Sequence, residues 1–278
     1  MNQNYPSYEE QQKIIGEFTL MDDIFMKAVF KNKDCAQLLI NIILGRTDIK
    51  IDKLEIQSDK TDLVYKAVIM DIFAVDKQGA LYNIEVQKAN KGADPKRARY
   101  HSSIMDTHIL QKGQTAKDLP NTYVIFITEN DVLGKDKMIY HIDRIIRETN
   151  DEFKDGAKII YANTSKQDET ALGKLMSDMR QSDPDKMHYE ELRQKSKKTK
   201  NEYIVKEGKK MGKLMEQFYN DAKAEGRVEG RQEGRAEGRA EGRQDTIFAV
   251  AKKMLGENID MSLIEKITGL SKDKLMML

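Results

Sequence analysis

Between residues 20 and 162 the chain alternates between two hydrophobic periods, and this alternation predicts an α/β domain. Apolar residues at the spacing of one helix face predict helices over residues 22–30 and 33–44. Runs rich in Val, Ile, Phe and Tyr predict strands over residues 54–57, 65–75, 80–87 and 122–128. A further helix is predicted to begin at Pro95 and to end before Gly113, because proline suits the first turn of a helix and glycine its end. The predicted order is helix, three strands, helix, strand.

The chain after Tyr161 is predicted to be helical, with a basic segment followed by a repeat. Helices are predicted over residues 169–180 and from Pro184 onward, and residues 191–213 carry nine Lys or Arg against three Glu. Glu-Gly-Arg then occurs five times between residues 225 and 243 before amphipathic spacing returns. The predicted organisation is a core at 1–165, a basic helical connector at 166–213, a repeat helix at 214–246 and a small helical module at 247–278.

The Glu-Gly-Arg repeat is a poor isolated helix. At 100° per residue its four-residue period places Glu, Gly and Arg on three separate stripes, so that like charges recur at i, i+4. Each glycine costs a further ~0.8–1.0 kcal/mol relative to alanine. A partner helix would set Glu stripes against Arg stripes, and this predicts a homo-oligomer formed through residues 225–243. The alternative interpretation is a frayed, flexible linker.

Composition and charge limit the classes of protein that the chain can represent. The 278 residues hold 47 Lys or Arg and 46 Asp or Glu, so the net charge of +1 neither favours nor excludes nucleic acid. The apolar stretches at 38–44 and 124–127 fall short of the 18 or more residues that span a bilayer. The N-terminal residues lack the pattern of a signal peptide. We therefore expect a soluble, cytoplasmic protein without a membrane partner.

Several kinds of catalytic site have no support in the sequence. The lone Cys35 cannot form an intramolecular disulfide, and the four histidines do not have the spacing of a zinc site. No histidine base can be assigned to a serine or to the cysteine as a nucleophile. The phosphate-binding motif G-x-x-x-x-G-K-[ST] is absent, which predicts that the protein binds no nucleotide cofactor.

One pair of acidic residues does point to chemistry. Asp71 lies in the otherwise apolar strand 68–75, where a buried carboxylate costs several kcal/mol unless it is paired or holds a cation. Glu85 and Gln87 follow across the turn at Gly79 and share one strand face. The hairpin can set Asp71 beside Glu85, giving two hard oxygen ligands of the kind that Mg²⁺ prefers. The sequence therefore predicts an Mg²⁺ site, with Mn²⁺ as a substitute, held by Asp71 and Glu85.

These residues lie within an ordered set of motifs that resembles the PD-(D/E)XK nucleases. The likeness is closer to the Rpn family, the recombination-promoting nucleases also grouped with transposases. Residues 23–30 resemble its motif D-x-x-F-K-x-x-F, with Met26 where Phe is usual. Residues 84–87 match I-E-x-Q, and residues 97–101 resemble R-x-x-Y-Y with His101 at the second Tyr. The resemblance covers roughly residues 20–165, and tails rich in Glu-Gly-Arg are common in such proteins.

The resemblance implies a fold, an activity and a set of site residues. The fold would be a restriction-endonuclease-like αβββαβ core with a mixed sheet, followed by an all-helical extension. The activity would be metal-dependent hydrolysis of DNA, linked to recombination or mobile elements. Asp71 and Glu85 would hold the metal, and Gln87, at a position where lysine is usual, would orient water. The remaining roles would be DNA contacts by Lys96, Arg97, Arg99 and Tyr100, and support of the site by Asp23 and Lys27.

Two alternatives to a DNA endonuclease stay open. A degenerate relative could bind DNA or itself without cleaving, because Gln87 carries no charge. An RNA-directed nuclease would use the same ligands, since hydrolysis of either backbone needs them.

Overall fold

The protein is described here from a computed structural model. The structure describes residues 7–60, 68–88, 92–107, 109–110, 113–203, 249–257, 260–270 and 275. The chain divides into two compact units, Met1–Met215 and Glu216–Leu278. The Glu-Gly-Arg repeat and its predicted helix lie outside the described residues, so the association element remains a prediction. In the described part of the chain, no helix is long and apolar enough to cross a membrane.

The described residues of the first unit form six α-helices. They are α1 (Tyr8–Glu17), α2 (Asp23–Phe30), α3 (Lys33–Ile43), α4 (Pro95–Thr107), α5 (Ala171–Arg180) and α6 (Glu190–Tyr203). Side chains at several N-termini satisfy backbone N–H groups, as the Asn32 side chain does for residues 34 and 35 at the start of α3. Asp94 accepts from the backbone N–H of Lys96, with Pro95 in the first turn of α4.

The first unit also contains a six-stranded mixed sheet and a separate two-stranded hairpin. The strands are β1 (Ile51–Lys60), β2 (Val68–Asp76), β3 (Leu81–Gln87), β4 (Thr122–Thr128), β5 (Ile139–Ile142), β6 (Ile145–Ile146), β7 (Asp151–Glu152) and β8 (Ala157–Asn163). The sheet order is β1-β2-β3-β4-β8-β5, and β6 pairs with β7. Strands β1, β2 and β3 are antiparallel neighbours, β3, β4 and β8 run parallel, and β5 is antiparallel to β8.

The predicted αβββαβ order is present, and the structure extends it. Helix α1 and strands β5 to β8 were not among the predicted elements. The strand β1 is ten residues long, whereas only residues 54–57 were predicted. A capping box formed by Ser7 and Glu10 marks the start of α1 in the sequence. Strands β5, β6 and β7 have two to four residues each, too few to show a period.

The helices after residue 165 belong to the same compact unit as the sheet. Helix α6 packs against α1, α2 and α3. Its Lys200 is almost fully buried, and Nζ donates to the carbonyl oxygens of Gly16, Phe18 and Ser182 at 2.5–2.9 Å. Burial lowers the pKa of Lys200 to about 8, so the ammonium still carries its charge at neutral pH. Part of the basic run predicted to form a connector therefore joins three segments of the core unit.

The packing of α4 against the sheet determines which residues can meet at the candidate site. Helix α4 contacts β4 and β8. Leu81, Val124 and Phe126 of the sheet form one core cluster with Ala98 and Met105 of α4. Alternation along β3 turns the side chain of Glu85 to the same face as Leu81. This face of β3 therefore meets α4.

The described part of the second unit is helical. Residues 249–256 form one helix, and α7 (Met261–Thr268) forms another. Ala251, Ile264, Leu270 and Leu275 make a small core of their own.

Candidate active site

The β2–β3 hairpin brings Asp71 and Glu85 into contact. Ile72 lies opposite Ile84 in this antiparallel pair, so the next positions, Asp71 and Glu85, meet on the other face of the sheet. The backbone N–H of Val86 donates to Asp71 Oδ2 at 3.1 Å, and the backbone N–H of Asp71 donates to Glu85 Oε1 at 3.4 Å. Pairing of β2 with β3 is therefore enough to bring the two carboxylates next to each other.

The two carboxylates are largely shielded from solvent. Glu85 is fully buried and Asp71 is largely so. Burial raises the pKa of Asp71 to about 7, and the neighbouring charge of Glu85 adds to the rise, while the hydrogen bond from Val86 opposes it. A cation bound between the carboxylates would favour the ionised form of Asp71.

Helix α4 supplies a guanidinium and an imidazole to the same site. Arg97 Nη2 donates to Glu85 Oε2 at 3.1 Å, and Arg97 Nε donates to His101 Nε2 at 3.3 Å. His101 is buried, and its Nδ1 lies 3.4 Å from Glu85 Oε1 and 2.8 Å from the side-chain amide of Asn83. Arg97 and His101 are four residues apart, so one face of α4 presents both.

These contacts determine the tautomer of His101. Arg97 Nε can only donate, so His101 Nε2 accepts and the ring proton lies on Nδ1. We therefore assign the Asn83 carbonyl oxygen to the position facing Nδ1, because an amide nitrogen at this position would set two donors against each other. A neutral imidazole thus donates toward Asn83 and Glu85 and accepts from Arg97.

Gln87 lies beside the same guanidinium. Gly92 has φ +111°, and a Cβ built there would meet both Gln87 Oε1 and Arg97 Nη1 at 2.6 Å. Both side chains therefore pack against the backbone of Gly92. Glycine is needed here for its conformation and for the close approach.

Helix α2 brings its polar residues near the acidic pair. Lys27 forms an ion pair with Asp23 one turn earlier, and the charges of both affect Asp71. The charge of Asp23 raises the pKa of Asp71, and that of Lys27 lowers it. Lys88 forms an ion pair with Asp22, the residue preceding α2.

The four residues predicted to contact DNA divide into two groups. Lys96, Arg99 and Tyr100 are exposed on α4, with Tyr100 39% exposed. Arg97 is only partly exposed and is engaged with Glu85 and His101. The structure thus places three of these residues on the surface near the acidic pair and the fourth inside the site.

The donor set fits a hard divalent cation. Asp71 and Glu85 offer carboxylate oxygens, and Gln87, two residues after Glu85 on the same face of β3, offers an amide oxygen. Among the described residues, no group of three or more His, Cys, Asp or Glu could hold a metal ion, so a cation would keep other ligands. Mg²⁺ commonly binds through one or two carboxylates and completes its shell with water and phosphate oxygens. The residues present therefore suit Mg²⁺ better than a cation that needs an all-protein cage.

Sequence reasoning did not assign roles to Asn83, Gly92 and His101. Asn83 lies two residues before Glu85, and this period-two spacing of polar residues in a buried strand was a usable signal. The contacts of Gly92 and His101 depend on how α4 packs over β3, which no local pattern shows.

Comparison with known proteins agrees with the fold. The hairpin with paired acids, the parallel strands beside it and the crossing helix define a nuclease-like core of the PD-(D/E)XK type. A family model described as PD-(D/E)XK nuclease family transposase matches residues 20–229. The chain belongs to this family, as the ordered motifs predicted. No curated protein and no solved structure shows significant similarity to the chain.

Proposed function

We propose that the protein is a metal-dependent endonuclease that hydrolyses DNA phosphodiester bonds in recombination or in the movement of mobile elements. The observation that carries the proposal is the contact between Asp71 and Glu85 in a buried hairpin, with a guanidinium held against them. Membership of the family supports nuclease chemistry in general.

The proposed roles follow from the positions of the side chains. Asp71 and Glu85 would hold Mg²⁺ or Mn²⁺, and such a cation, when bound, would lower the pKa of a bound water and stabilise charge that develops on the phosphate. The Gln87 amide orients water beside the pair. Asp23 and Lys27 adjust the charge on Asp71 from α2.

The exposed face of α4 is the proposed path of the DNA backbone. Lys96, Arg99 and Tyr100 lie on the helix whose Arg97 reaches Glu85, so a strand that follows α4 passes the acidic pair. Lys and Arg contacts to phosphate give affinity without sequence preference and weaken as salt rises.

Metal binding and substrate class test the proposal together. Mn²⁺ binding is measured by electron paramagnetic resonance on wild type and on Glu85→Gln, with Glu152→Gln as a matched control because Glu152 is a surface carboxylate paired with Lys158. Mn²⁺ binding that is lost in Glu85→Gln and kept in Glu152→Gln supports the site. Parallel incubation with DNA and RNA oligonucleotides distinguishes the substrates, and cleavage of RNA alone would contradict the assignment to DNA.

The neutral side chain of Gln87 favours a second candidate function, a DNA-binding protein that does not cleave. This candidate predicts retardation of DNA in a gel at equal strength with Mg²⁺ and with EDTA, and no product with either. The endonuclease predicts product only with the metal.

A further inference from the structure

The acidic pair and a bound phosphate together carry more negative charge than a divalent cation balances. Along the face of β3 that meets α4, Asn83 and Gln87 are neutral and Glu85 is acidic. The strand therefore supplies no cation for charge that develops during hydrolysis. Any such cation must come from another element.

Arg97 places its guanidinium where this charge is needed. Its Nη2 contacts Glu85, and its Nη1 packs with Gln87 Oε1 against Gly92. Its Nε is fixed by His101 Nε2, which orients the guanidinium plane. Two hydrogen bonds, to Glu85 and to His101, thus fix the guanidinium beside the proposed metal-binding acid, with Gln87 packed nearby at Gly92.

Three other basic residues near the site are engaged elsewhere or exposed. Lys88 is paired with Asp22, and Lys27 is paired with Asp23. Lys96 is exposed at the start of α4. Among these residues, only Arg97 directly contacts a carboxylate of the acidic pair.

We infer that Arg97 is a catalytic residue, whose guanidinium supplies the positive charge that stabilises the transition state at the scissile phosphate, rather than a contact for DNA affinity. This inference rests on the proposed nuclease function. Through Nη1, which lies near Gly92, the guanidinium contacts a phosphate oxygen while Nη2 keeps its bond to Glu85.

Arg97 neither gives nor takes a proton in the proposed hydrolysis. The oxygen of water forms a bond to phosphorus while the phosphorus–oxygen bond to the leaving sugar oxygen breaks. The water loses one proton to solvent, and the leaving oxygen gains one from solvent. Guanidinium stays protonated in proteins, so Arg97 acts by charge and hydrogen bonding alone.

The inference is tested by removing the positive charge at position 97 and by moving it to position 87. Single-turnover cleavage rates and DNA affinity with Ca²⁺ in place of Mg²⁺ are measured for wild type, Arg97→Gln, Arg97→Lys and the double variant Gln87→Lys/Arg97→Gln. Arg46→Gln is the matched control, because Arg46 pairs with Asp48 on an exposed turn. Thermal unfolding of every variant establishes that it is folded.

The inference predicts a loss in rate with little loss in affinity. Arg97→Gln should cleave about 100-fold more slowly or worse, as when one donor to developing charge is removed, while DNA affinity changes less than about threefold. The double variant should recover at least about tenfold, because a lysine at position 87 restores a cation beside Glu85. If Arg97→Gln does not fold, Arg97→Lys and the double variant still compare two positions for the charge.

Two other outcomes would overturn the inference in distinguishable ways. Weaker DNA binding by Arg97→Gln with an unchanged single-turnover rate would make Arg97 an affinity contact and would leave the proposed nuclease intact. A folded wild type that cleaves no nucleic acid with any divalent metal would contradict the proposed function and, with it, the role of Arg97.

Discussion

At the scale of single residues, Glu85 is the centre of the site. Its two oxygens contact the backbone N–H of Asp71, His101 and Arg97, although the side chain is fully buried. A buried carboxylate with several partners is held in one orientation, which suits a metal ligand. The neighbouring Asp71 has fewer contacts, and burial raises its pKa to about 7.

Replacement of Asp71 by Asn should stabilise the metal-free protein at alkaline pH. The pKa of Asp71 is about 7 in the folded state against an ordinary value of 3.8, so the folded state holds the proton more tightly. The free energy of unfolding of wild type therefore falls as pH rises from about 4 to 7. Asn cannot ionise, so Asp71→Asn should exceed wild type by roughly 1–4 kcal/mol at about pH 8, with the advantage absent near pH 4.

Urea denaturation at the two pH values measures this difference. Added Mg²⁺ should stabilise wild type and leave Asp71→Asn unchanged. Wild type that equals or exceeds the variant in stability at about pH 8 without metal would contradict the electrostatic account of the pair.

Replacement of His101 by Phe should impair metal binding and cleavage while the ring still fills its place beside Phe126. The variant loses the hydrogen bonds to Glu85 and Arg97, and loss of such supporting contacts typically costs 10–100-fold in metal affinity or activity. His101→Gln offers both a donor and an acceptor and should retain more of each. Mn²⁺ titration of both variants checks this, and equal affinities for wild type and His101→Phe would refute the positioning role.

Sequence alternation was enough to predict that Asp71 and Glu85 face one another. Residues in paired strands are related by period two, so a polar residue in each strand can be placed without knowledge of the tertiary packing. His101 could not be placed in this way. Its contacts with Asn83 and Glu85 cross from a helix to a strand, and the rotation of α4 over the sheet determines them.

At the scale of elements, the connection from β3 to α4 joins the strand that carries Glu85 to the helix that carries Arg97. Gly92 lies between them with a positive φ and with Gln87 and Arg97 against it. The start of α4 is thereby held close to the end of β3. The register of Arg97 against Glu85 depends on this connection.

Replacement of Gly92 by Ala should therefore damage the site. A Cβ would meet two side-chain atoms at 2.6 Å and would strain the backbone at φ +111°, with an expected loss of about 1–3 kcal/mol in the free energy of unfolding. Cleavage should fall further than stability alone explains, because Arg97 or Gln87 must move. Gly113→Ala is the control, since it has a similar positive φ of +96° but no atoms within 4 Å of its Cβ.

Equal effects of the two glycine substitutions on cleavage would contradict the close packing at Gly92. Denaturation and single-turnover rates for both variants distinguish backbone strain, which the two share, from displacement of side chains, which only Gly92→Ala causes.

The strands that form the site could be predicted from sequence, whereas helix α1, strands β5 to β8 and the packing of α6 could not. Strands β2, β3 and β4 have seven to nine residues rich in β-branched and aromatic side chains. Strand β5 is four residues long and lies at a sheet edge, so pairing with β8 decides its structure more than its own sequence does. Helix α6 has few apolar residues, so its charged residues predict a solvent-exposed helix. In the structure, however, Lys200 of α6 is buried and joins the helix to the core.

At the scale of the whole molecule, charge is balanced overall and localised where DNA would bind. The net charge of the chain is +1, yet Lys96 and Arg99 are exposed at the start of α4, the helix whose Arg97 contacts Glu85. Local placement rather than net charge therefore accounts for the proposed interaction with DNA.

Self-association through the repeat is a prediction at this scale. A peptide of residues 215–246 should gain helix with increasing concentration, because the Glu and Arg stripes of one helix complement those of another. Circular dichroism over a range of concentrations measures this, and a coil signal independent of concentration would contradict pairing through residues 225–243.

The central claim is that Asp71 and Glu85 form the metal site of a DNA endonuclease. Its most direct test is the cleavage of supercoiled plasmid by purified protein with Mg²⁺, Mn²⁺ or EDTA, with Asp71→Ala prepared in parallel. The account predicts nicked or linear product that requires the divalent metal and is absent with Asp71→Ala. Wild type and variant that are equally inert on plasmid and on single-stranded DNA, or equally active, would contradict it.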